Sequence, residues 1–202
     1  MFTGIVQGTA QITALTRKTD FMQLEIELPA DCCDRLAEGA SISLNGTCLT
    51  ITGFSGSRVK FDVIDTTLAL TNLGELTVGS RVNFERAARI GDEIGGHLMS
   101  GHILCCAPVI SVEYPDNNCH IRFATPEAAA PYLLPKGFVG LNGCSLTLVD
   151  ADTDSFSVAL IPETLERTTF ASLQPGMRVN LEADPQTQAV VATVQRYLDN
   201  QR

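Results

Sequence analysis

The sequence predicts an all-β protein that consists of two similar small barrels and one C-terminal α-helix. Three observations predict this class: a repeat that runs along almost the whole chain, an alternation of polar and apolar residues within each copy, and an amphipathic segment after the second copy. The chain has 202 residues, of which 45% are hydrophobic and 18% are charged. That length and composition suffice for two cores of about 100 residues each.

The repeat has a constant offset of 97 residues and needs no gap between residues 2–97 and 99–194. Three blocks carry the match: LNGTCLT at 44–50 with LNGCSLT at 141–147, RVNFE at 81–85 with RVNLE at 178–182, and FTGIV at 2–6 with MSGHI at 99–103. A unit of this length is too long for a solenoid repeat and is typical of a duplicated domain. We therefore expect one domain at 1–97 and a second at 98–185.

Within each copy, polar and apolar residues alternate with the period of a half-buried strand. Strands are expected over 5–15, 22–28, 40–52, 59–63 and 81–86, with turns at 45–46, 54–57 and 78–79 and a helical turn near 67–73. Several short strands in each copy favour a closed barrel, because closure leaves no exposed sheet edge.

The segment after the second copy has the spacing of an amphipathic helix. Its apolar residues fall on one face: Val190, Val191, Val194, Tyr197 and Leu198. Asp184 is a suitable N-cap, and Pro185 suits the first helical position. We expect this helix, within 186–202, either to dock on the barrels or to associate with copies of itself.

Composition and charge exclude several classes of function. The net charge is −9, and no run of Lys or Arg offers the positive surface that nucleic acid or an anionic membrane requires. The first residues lack a basic segment followed by an apolar run, and no window has the roughly 18 apolar residues of a membrane span. We therefore expect a soluble, cytoplasmic protein that has neither nucleic acid nor membrane as a partner.

The cysteines predict neither disulfides nor a zinc site. Seven are present, an odd number, with adjacent pairs at 32–33 and 105–106 and no Cys-x-x-Cys spacing. Reduced thiols that pack as small apolar groups are the expected state.

Candidate reactive side chains lie at the junction of the two copies and at aligned positions where the copies differ. The stretch GGHLMSGH at 95–102 holds two of the three histidines, His97 and His102, without the spacing of a helical zinc site. Both acid–base work and hydrogen-bonded structural roles remain open for them. Cys48 aligns with Ser145, and His102 with Ile5, so the reactive side chains differ on a shared backbone pattern.

Further signals are weaker. Threonine and acidic residues at 62–67 and 161–166 follow a strand and precede a helical turn, which suits either a barrel mouth or an ordinary loop. The sequence contains no phosphate loop, dinucleotide fingerprint or metal cluster, so we expect a site without cofactor or metal.

Five motifs together resemble the riboflavin synthase family: MFTGIV at 1–6, NGTCLT at 45–50, GGHLMSGH at 95–102, IPET at 161–164 and DPQT at 184–187. The resemblance covers nearly the whole chain. It implies two six-stranded Greek-key barrels per chain and a homotrimer whose C-terminal helices bundle on the axis. It leaves open an association with lumazine synthase.

The resemblance also implies a reaction. Two molecules of 6,7-dimethyl-8-ribityllumazine would give riboflavin and 5-amino-6-ribitylamino-2,4(1H,3H)-pyrimidinedione by transfer of a four-carbon unit, with no cofactor. The alternative is a non-catalytic lumazine- or flavin-binding protein of the same fold. The reactive residues Cys48, His97, His102 and Ser145 favour the enzyme.

Carried over position by position, the family's lumazine contacts fall into two sets. The first-barrel set is Gly4, Ile5, Val6, Cys48, Leu49, Thr50, Asp62, Val63, Ile64, Asp65, Thr66 and Thr67. The second-barrel set is Gly101, His102, Ile103, Lys136, Ser145, Leu146, Thr147, Ile161, Pro162, Glu163, Thr164, Leu165 and Glu166. In the family, a first-barrel site meets a second-barrel site of the neighbouring subunit.

The resemblance further implies a polar and acid–base group. Its members are Cys48, Ser41, His97, His102, Ser145, Thr147 and Asp184, with Phe2 covering the site. His102 is the expected proton carrier, and Cys48 would assist at the ring. Two departures from the family pattern are the Cys105–Cys106 pair and Asn142, where close relatives tend to carry Asp.

Overall fold

Each copy of the repeat folds into a closed barrel of six antiparallel strands. The computed structural model describes residues 1–116 and 118–201. The first barrel contains β1 (Gly8–Arg17), β2 (Phe21–Glu27), β3 (Ser41–Leu44), β4 (Thr47–Ser55), β5 (Arg58–Ile64) and β6 (Arg81–Arg86). The second contains β7 (Cys105–Glu113), β8 (Cys119–Ala124), β9 (Phe138–Leu141), β10 (Cys144–Ala151), β11 (Ser155–Leu160) and β12 (Arg178–Ala183).

The two barrels share one Greek-key topology. The first closes in the order β1-β2-β5-β4-β3-β6, and the second repeats that cyclic order with β7 to β12. A short helix follows the fifth strand of each barrel: α1 (Asp65–Leu70) in the first and α2 (Pro162–Arg167) in the second. The predicted fold class is therefore confirmed, including the number of strands.

Two strand predictions need correction. The run at 40–52 is a hairpin and not one strand, because Asn45 and Gly46 adopt positive φ angles of +44° and +83°, as a tight hairpin turn requires. The strand expected over 5–15 begins only at Gly8, because residues 2–6 leave the sheet. The predicted helical turn near 67–73 is α1, followed by a 3-10 turn at Asn72–Glu75.

Each barrel has its own apolar core, formed by the inward residues of the alternating strands. Phe61 and Phe84 are fully buried in the first core, and Phe123, Phe156 and Phe170 in the second. Burying such a side chain stabilises a fold by about 1.5–3 kcal/mol. The separate cores explain why the duplicated sequence gives two similar units.

A symmetric set of asparagine side chains joins the barrels. Asn83 and Asn180 occupy the same place in the two copies, and each amide bonds to backbone groups of the opposite barrel. The four bonds are Thr169 N–H to Asn83 Oδ1 (2.8 Å), Asn83 Nδ2–H to the Asn142 carbonyl (2.9 Å), Asn72 N–H to Asn180 Oδ1 (2.7 Å) and Asn180 Nδ2–H to the Asn45 carbonyl (2.8 Å). The barrels are thus related by a pseudo-two-fold axis.

The C-terminal helix α3 spans Pro185–Asp199 and begins one residue before the expected range; residue 202 lies outside the described residues. Asp184 caps it as predicted, accepting hydrogen bonds from the N–H groups of Gln186 and Thr187. None of its side chains is buried, and Val190 and Tyr197 are each 63% exposed. Most of the apolar face of α3 is therefore exposed in the described part of the single chain.

Candidate active site

Two short segments meet between the barrels: residues 2–6, which precede β1, and the repeat-related residues 99–103, which precede β7. They form an antiparallel bridge between Phe2 and Met99. The Phe2 N–H donates to the Met99 carbonyl at 2.9 Å, and the Met99 N–H donates to the Phe2 carbonyl at 3.0 Å. The bridge allows each segment to reach the opposite barrel.

Each segment brings a glycine against that opposite barrel. The Gly4 carbonyl accepts a hydrogen bond from the Ser145 N–H at 2.8 Å, and the Gly101 carbonyl accepts one from the Cys48 N–H at 2.9 Å. Both glycines have positive φ, and a Cβ on either would lie 2.5 Å from the Cβ of its partner. A side chain would not fit at either position.

This crossing corrects the grouping expected from the sequence. We expected residues 4–6 beside Cys48 and residues 101–103 beside Ser145. The structure places 4–6 beside Ser145, with Val6 in the core of the second barrel, and 101–103 beside Cys48. The repeat could not reveal the exchange, because both copies carry the same glycine in the same position.

The first candidate surface surrounds Cys48 and is called the Cys48 surface. It comprises Ser41, Cys48, Leu49, Thr50, residues 62–67 and residues 101–103. Cys48 and Thr50 point away from the core, because they alternate along β4 with the buried Leu49. Val63 is buried in the same core. Leu49 and Val63 can therefore reach a ligand only through their backbone, whereas Thr50 and His102 are exposed.

The second surface, called the Ser145 surface, is its pseudo-symmetric counterpart. It comprises residues 4–6, Lys136, Ser145, Leu146, Thr147 and residues 161–166. Leu146 and Leu165 pack in or against the second core, so their side chains face away from the surface. Lys136, Thr147, Glu163 and Glu166 are exposed.

His97 is held against the Ser145 surface by three contacts. Its Nδ1 lies 2.6 Å from Ser145 Oγ, and its ring stacks on Phe138 with centroids 5.2 Å apart. The preceding Gly96 approaches Ser145 so closely that a Cβ there would lie 2.6 Å from Ser145 Cβ. His97 Nε2 is buried without a hydrogen-bond partner among the described residues. A buried polar atom without a partner lowers stability, so its presence calls for a functional explanation.

The charge state of His97 follows from this burial. Desolvation lowers the pKa of His97 below its usual value, although the nearby Asp184 carboxylate acts in the opposite direction. Burial would raise the pKa of Asp184, but hydrogen bonds from Thr187 and Gln186 outweigh burial and hold that pKa below its usual value. Asp184 therefore has two roles: it caps α3, and its negative charge lies near the imidazole.

The two surfaces differ in their reactive groups. The Ser145 surface pairs a hydroxyl with a buried histidine, whereas the equivalent of His97 by the repeat offset, Val194, lies in α3 far along the chain. The Cys48 surface instead has a thiol and the exposed His102. The two similar surfaces thus present different reactive side chains.

Phe2 does not have the position that the resemblance implied. Its side chain is only 2% exposed, and a Cβ on Gly101 would lie 2.9 Å from its ring. Phe2 therefore packs beneath the 101–103 segment and does not cover an open surface in the single chain.

The structure gives the two departures from the family pattern structural surroundings. Burial raises the pKa of the Cys105 thiol to about 11, so it is protonated at neutral pH. The Cys106 thiol donates to Asn180 Oδ1 at 3.3 Å, and Asn142 belongs to the contacts between the barrels. All seven cysteines are free thiols.

Sequence reasoning missed two buried carboxylates, Glu85 and Glu182. They are 4% and 2% exposed, and they accept hydrogen bonds from the 2–6 and 99–103 segments respectively. The available signal was the repeated Arg-Val-Asn-x-Glu block, which was used only to establish the duplication. A glutamate kept inward in a buried strand of both copies indicates a specific partner.

Two clefts of the single chain border predicted residues of the Ser145 surface. A cleft of about 540 Å³ lies beside Ile5 and Gly95, and Ile5 is the only predicted contact that lines it. A second cleft of about 310 Å³ includes Glu163 and Glu166. Neither cleft encloses Cys48 or Ser145.

The described part of the chain contains neither a metal-binding cluster nor a membrane-spanning helix. Within residues 1–116 and 118–201, no group of three or more His, Cys, Asp or Glu side chains is arranged to hold a metal ion. None of the helices described combines the length and hydropathy that crossing a membrane requires.

Comparison with known proteins identifies the family to which the chain is similar. The family model of the lumazine binding domain matches residues 3–87 and 100–184. The riboflavin synthase of Escherichia coli (strain K12) is 51% identical over 98% of this chain and 93% of its own length. The riboflavin synthase of Chlamydia pneumoniae is 41% identical over 98% of this chain and 97% of its own length.

Solved structures show the same architecture. LumP complexed with riboflavin superimposes with a TM-score of 0.84 at 28% identity, over 91% of this chain and 99% of that one. LumP complexed with 6,7-dimethyl-8-(1'-D-ribityl) lumazine gives a TM-score of 0.82 at 26% identity, with the same coverage. The chain therefore belongs to the riboflavin synthase family and carries two lumazine binding domains in tandem.

Proposed function

We propose that this chain catalyses the dismutation of two 6,7-dimethyl-8-ribityllumazine molecules to riboflavin and 5-amino-6-ribitylamino-2,4(1H,3H)-pyrimidinedione. The observation that carries the proposal is the pair of pseudo-symmetric surfaces, one built around Cys48 and the other around Ser145. A reaction between two identical molecules needs two similar sites with different reactive groups. The family membership and the LumP complexes support a lumazine as the ligand of each surface.

The proposed chemistry begins with loss of a proton from the 7-methyl group of one lumazine. The resulting carbanion attacks the other ring, and a four-carbon unit is then transferred. Holding the two rings face to face replaces a bimolecular encounter by an oriented one, which can contribute up to about 10 kcal/mol. No redox cofactor or metal takes part in the steps proposed.

We assign the proton transfer to the polar side chains at these surfaces. His102 is exposed beside Cys48 and is the proposed proton carrier, while the Cys48 thiol assists at the ring. At the other surface, neutral His97 orients the Ser145 hydroxyl through the 2.6 Å contact, with Asp184 acting on the imidazole through its charge. Ser41 and Thr147 complete the polar group.

We further propose that the working enzyme is a cytoplasmic homotrimer in which the Cys48 surface of one subunit meets the Ser145 surface of its neighbour. Residues 1–97 and 98–185 would be the two lumazine-binding units, and 186–202 the trimerisation helix. The exposed side chains of Thr50 and His102 at one surface and of Thr147 at the other, together with the exposed apolar face of α3, support this assembly. Sedimentation with and without added lumazine synthase tests the trimer and any association with that enzyme.

A non-catalytic carrier of the same fold is the second candidate, and the likeness to LumP is the observation that favours it. That likeness is at 28% identity, against 51% for the Escherichia coli riboflavin synthase. A carrier would bind one ligand tightly without turnover. It would also have no use for the buried His97–Ser145 pair, whose unsatisfied Nε2 is destabilising.

The deciding experiment follows riboflavin absorbance after mixing the purified full chain with 6,7-dimethyl-8-ribityllumazine. We expect one riboflavin for every two lumazines consumed, and rates about 100-fold or more lower for Cys48→Ser and His102→Gln, in the range of acid–base contributions. Cys33→Ser and His120→Gln are matched controls outside both surfaces and should keep the wild-type rate. Tight binding without turnover would overturn the proposal in favour of a carrier.

A further inference from the structure

The two buried carboxylates that sequence reasoning missed have crossed positions. Glu182 lies on β12 of the second barrel but binds the segment that completes the Cys48 surface of the first. Glu85 lies on β6 of the first barrel but binds the segment that completes the Ser145 surface of the second. We infer that Glu85 and Glu182 are positioning residues, each of which sets the geometry of the other barrel's site. The inference rests on the proposed function for the identity of those sites.

Glu182 is linked to His102 through one intermediate residue. Its Oε1 accepts from the Ser100 N–H and the Ser100 hydroxyl, both at 2.7 Å, and its Oε2 accepts from the Gly101 N–H at 3.1 Å. Ser100 Oγ in turn accepts from the His102 N–H at 3.2 Å. The carboxylate therefore holds Ser100 and Gly101 directly and His102 through the Ser100 hydroxyl. The Gly101 carbonyl in turn accepts from the Cys48 N–H.

Glu85 repeats this arrangement in the other half of the molecule. Its Oε1 accepts from the Thr3 N–H at 2.6 Å and from the Thr3 hydroxyl at 2.8 Å, and its Oε2 accepts from the Gly4 N–H at 3.0 Å. Thr3 Oγ1 accepts from the Ile5 N–H at 3.2 Å. Gly4 then carries the carbonyl that binds the Ser145 N–H.

These bonds are the means by which the buried carboxylates are stabilised. No Lys or Arg in the described residues lies within ion-pair distance of either one. Burial raises the pKa of both glutamates, and the hydrogen bonds from Thr3 and Ser100 oppose that effect. Because a buried carboxylate needs its donors, any movement of the segment away from the site leaves the charge unsatisfied. Each segment is therefore held in one position.

The test measures ligand binding at the two surfaces separately in the full chain. Isoleucine δ1-methyl NMR during a riboflavin titration reports the Cys48 surface through Ile64 and the Ser145 surface through Ile161. Replacing either glutamate by glutamine keeps the shape but puts an NH2 donor where an oxygen accepted. We expect Glu182→Gln to weaken binding at Ile64 about tenfold, as expected for one charge-assisted hydrogen bond, and to leave Ile161 unchanged.

The repeat supplies the matched control, because Glu85→Gln should give the reverse pattern. A milder pair is Ser100→Ala, which removes the hydroxyl, and Thr3→Val, which replaces it by a methyl group. Both should give the same crossed pattern at about threefold. This second pair decides the question if a glutamine variant does not fold. The inference would be overturned if a substitution weakened riboflavin binding at the surface of the barrel that carries the substituted glutamate, or weakened binding at both surfaces equally.

The NMR titration measures riboflavin binding, so its result does not depend on turnover. Crossed binding without riboflavin formation by the wild type would overturn the proposed function and leave the positioning role intact. Riboflavin formation with an uncrossed pattern would do the opposite.

Discussion

Replacing Gly101 by alanine tests whether the crossed segments lie as close to the barrels as described. The new Cβ would lie 2.5 Å from Cys48 Cβ, 2.9 Å from the Phe2 ring and 3.0 Å from the Cys48 backbone nitrogen. Two of these neighbours are a β-carbon and a backbone atom, so neither can rotate away. We expect the segment to move off β4 and to break the hydrogen bond between the Gly101 carbonyl and the Cys48 N–H.

The expected loss in free energy of unfolding for Gly101→Ala has two parts. An alanine in the left-handed region, where Gly101 has φ +81°, costs about 1 kcal/mol relative to glycine. Overpacking adds about 1–3 kcal/mol. Gly79 provides the control, because it has φ +95° and no atom within 4 Å of its would-be Cβ. Gly79→Ala should therefore show only the backbone part of the loss.

The assay is thermal unfolding together with riboflavin formation. For a chain of this size, 1 kcal/mol corresponds to roughly 2–4 °C in Tm, so Gly101→Ala should unfold several degrees below Gly79→Ala. It should also lower the rate at least tenfold, since displacement of a site residue by about 1 Å can cost far more. Equal Tm values for the two variants would refute the close approach of the segment to β4.

Three further predictions concern His97, the exposed face of α3 and the Asn180 amide. Burial lowers the pKa of His97 in the folded chain, so the unfolded chain takes up a proton first as the pH drops below about 6.5, and the stability of the wild type should fall there. Urea unfolding of His97→Gln should show a weaker pH dependence, and parallel curves for the two proteins would contradict the prediction. Charging the exposed face of α3 with Val190→Glu and Val194→Glu should give a monomer in light scattering instead of the proposed trimer and should abolish turnover. An active monomer would refute the proposed assembly. Asn180→Ala leaves two backbone groups unpaired and should lower the free energy of unfolding by about 3 kcal/mol, whereas the control Ser55→Ala, at an exposed position, should not. Equal stability of the two variants would contradict the role of the Asn180 amide between the barrels.

Local sequence signals were sufficient for most of the fold. The alternation at 22–28 and 59–63 appears as β2 and β5, and the Asp184–Pro185 start of α3 is confirmed. Each of these depends on neighbouring residues alone: side-chain period, turn chemistry or a cap. The strand expected from residue 5 failed because residues 2–6 are held by contacts with distant parts of the chain.

For the candidate site, the sequence predicted the residue types but not their pairing in space. The motif around Cys48 and the histidines at the junction identified the residue types, but not which segment lies against which surface. The link from His97 to Ser145 joins residues 48 positions apart, and the links from Glu85 and Glu182 join residues 81 or 82 apart. No local pattern encodes such pairings.

The sequence by itself determined the duplication, the strand content, the capped terminal helix and, through its motifs, the family. These follow from local periodicity and from residues compared at a constant offset. Only the tertiary structure decided that the two leading segments exchange barrels, that His97 is buried against Ser145, and that Glu85 and Glu182 hold the opposite sites. The physical reason is that a duplicated sequence is unchanged when its two halves trade equivalent segments, so the choice between exchanged and unexchanged packing depends on contacts across the pseudo-two-fold axis.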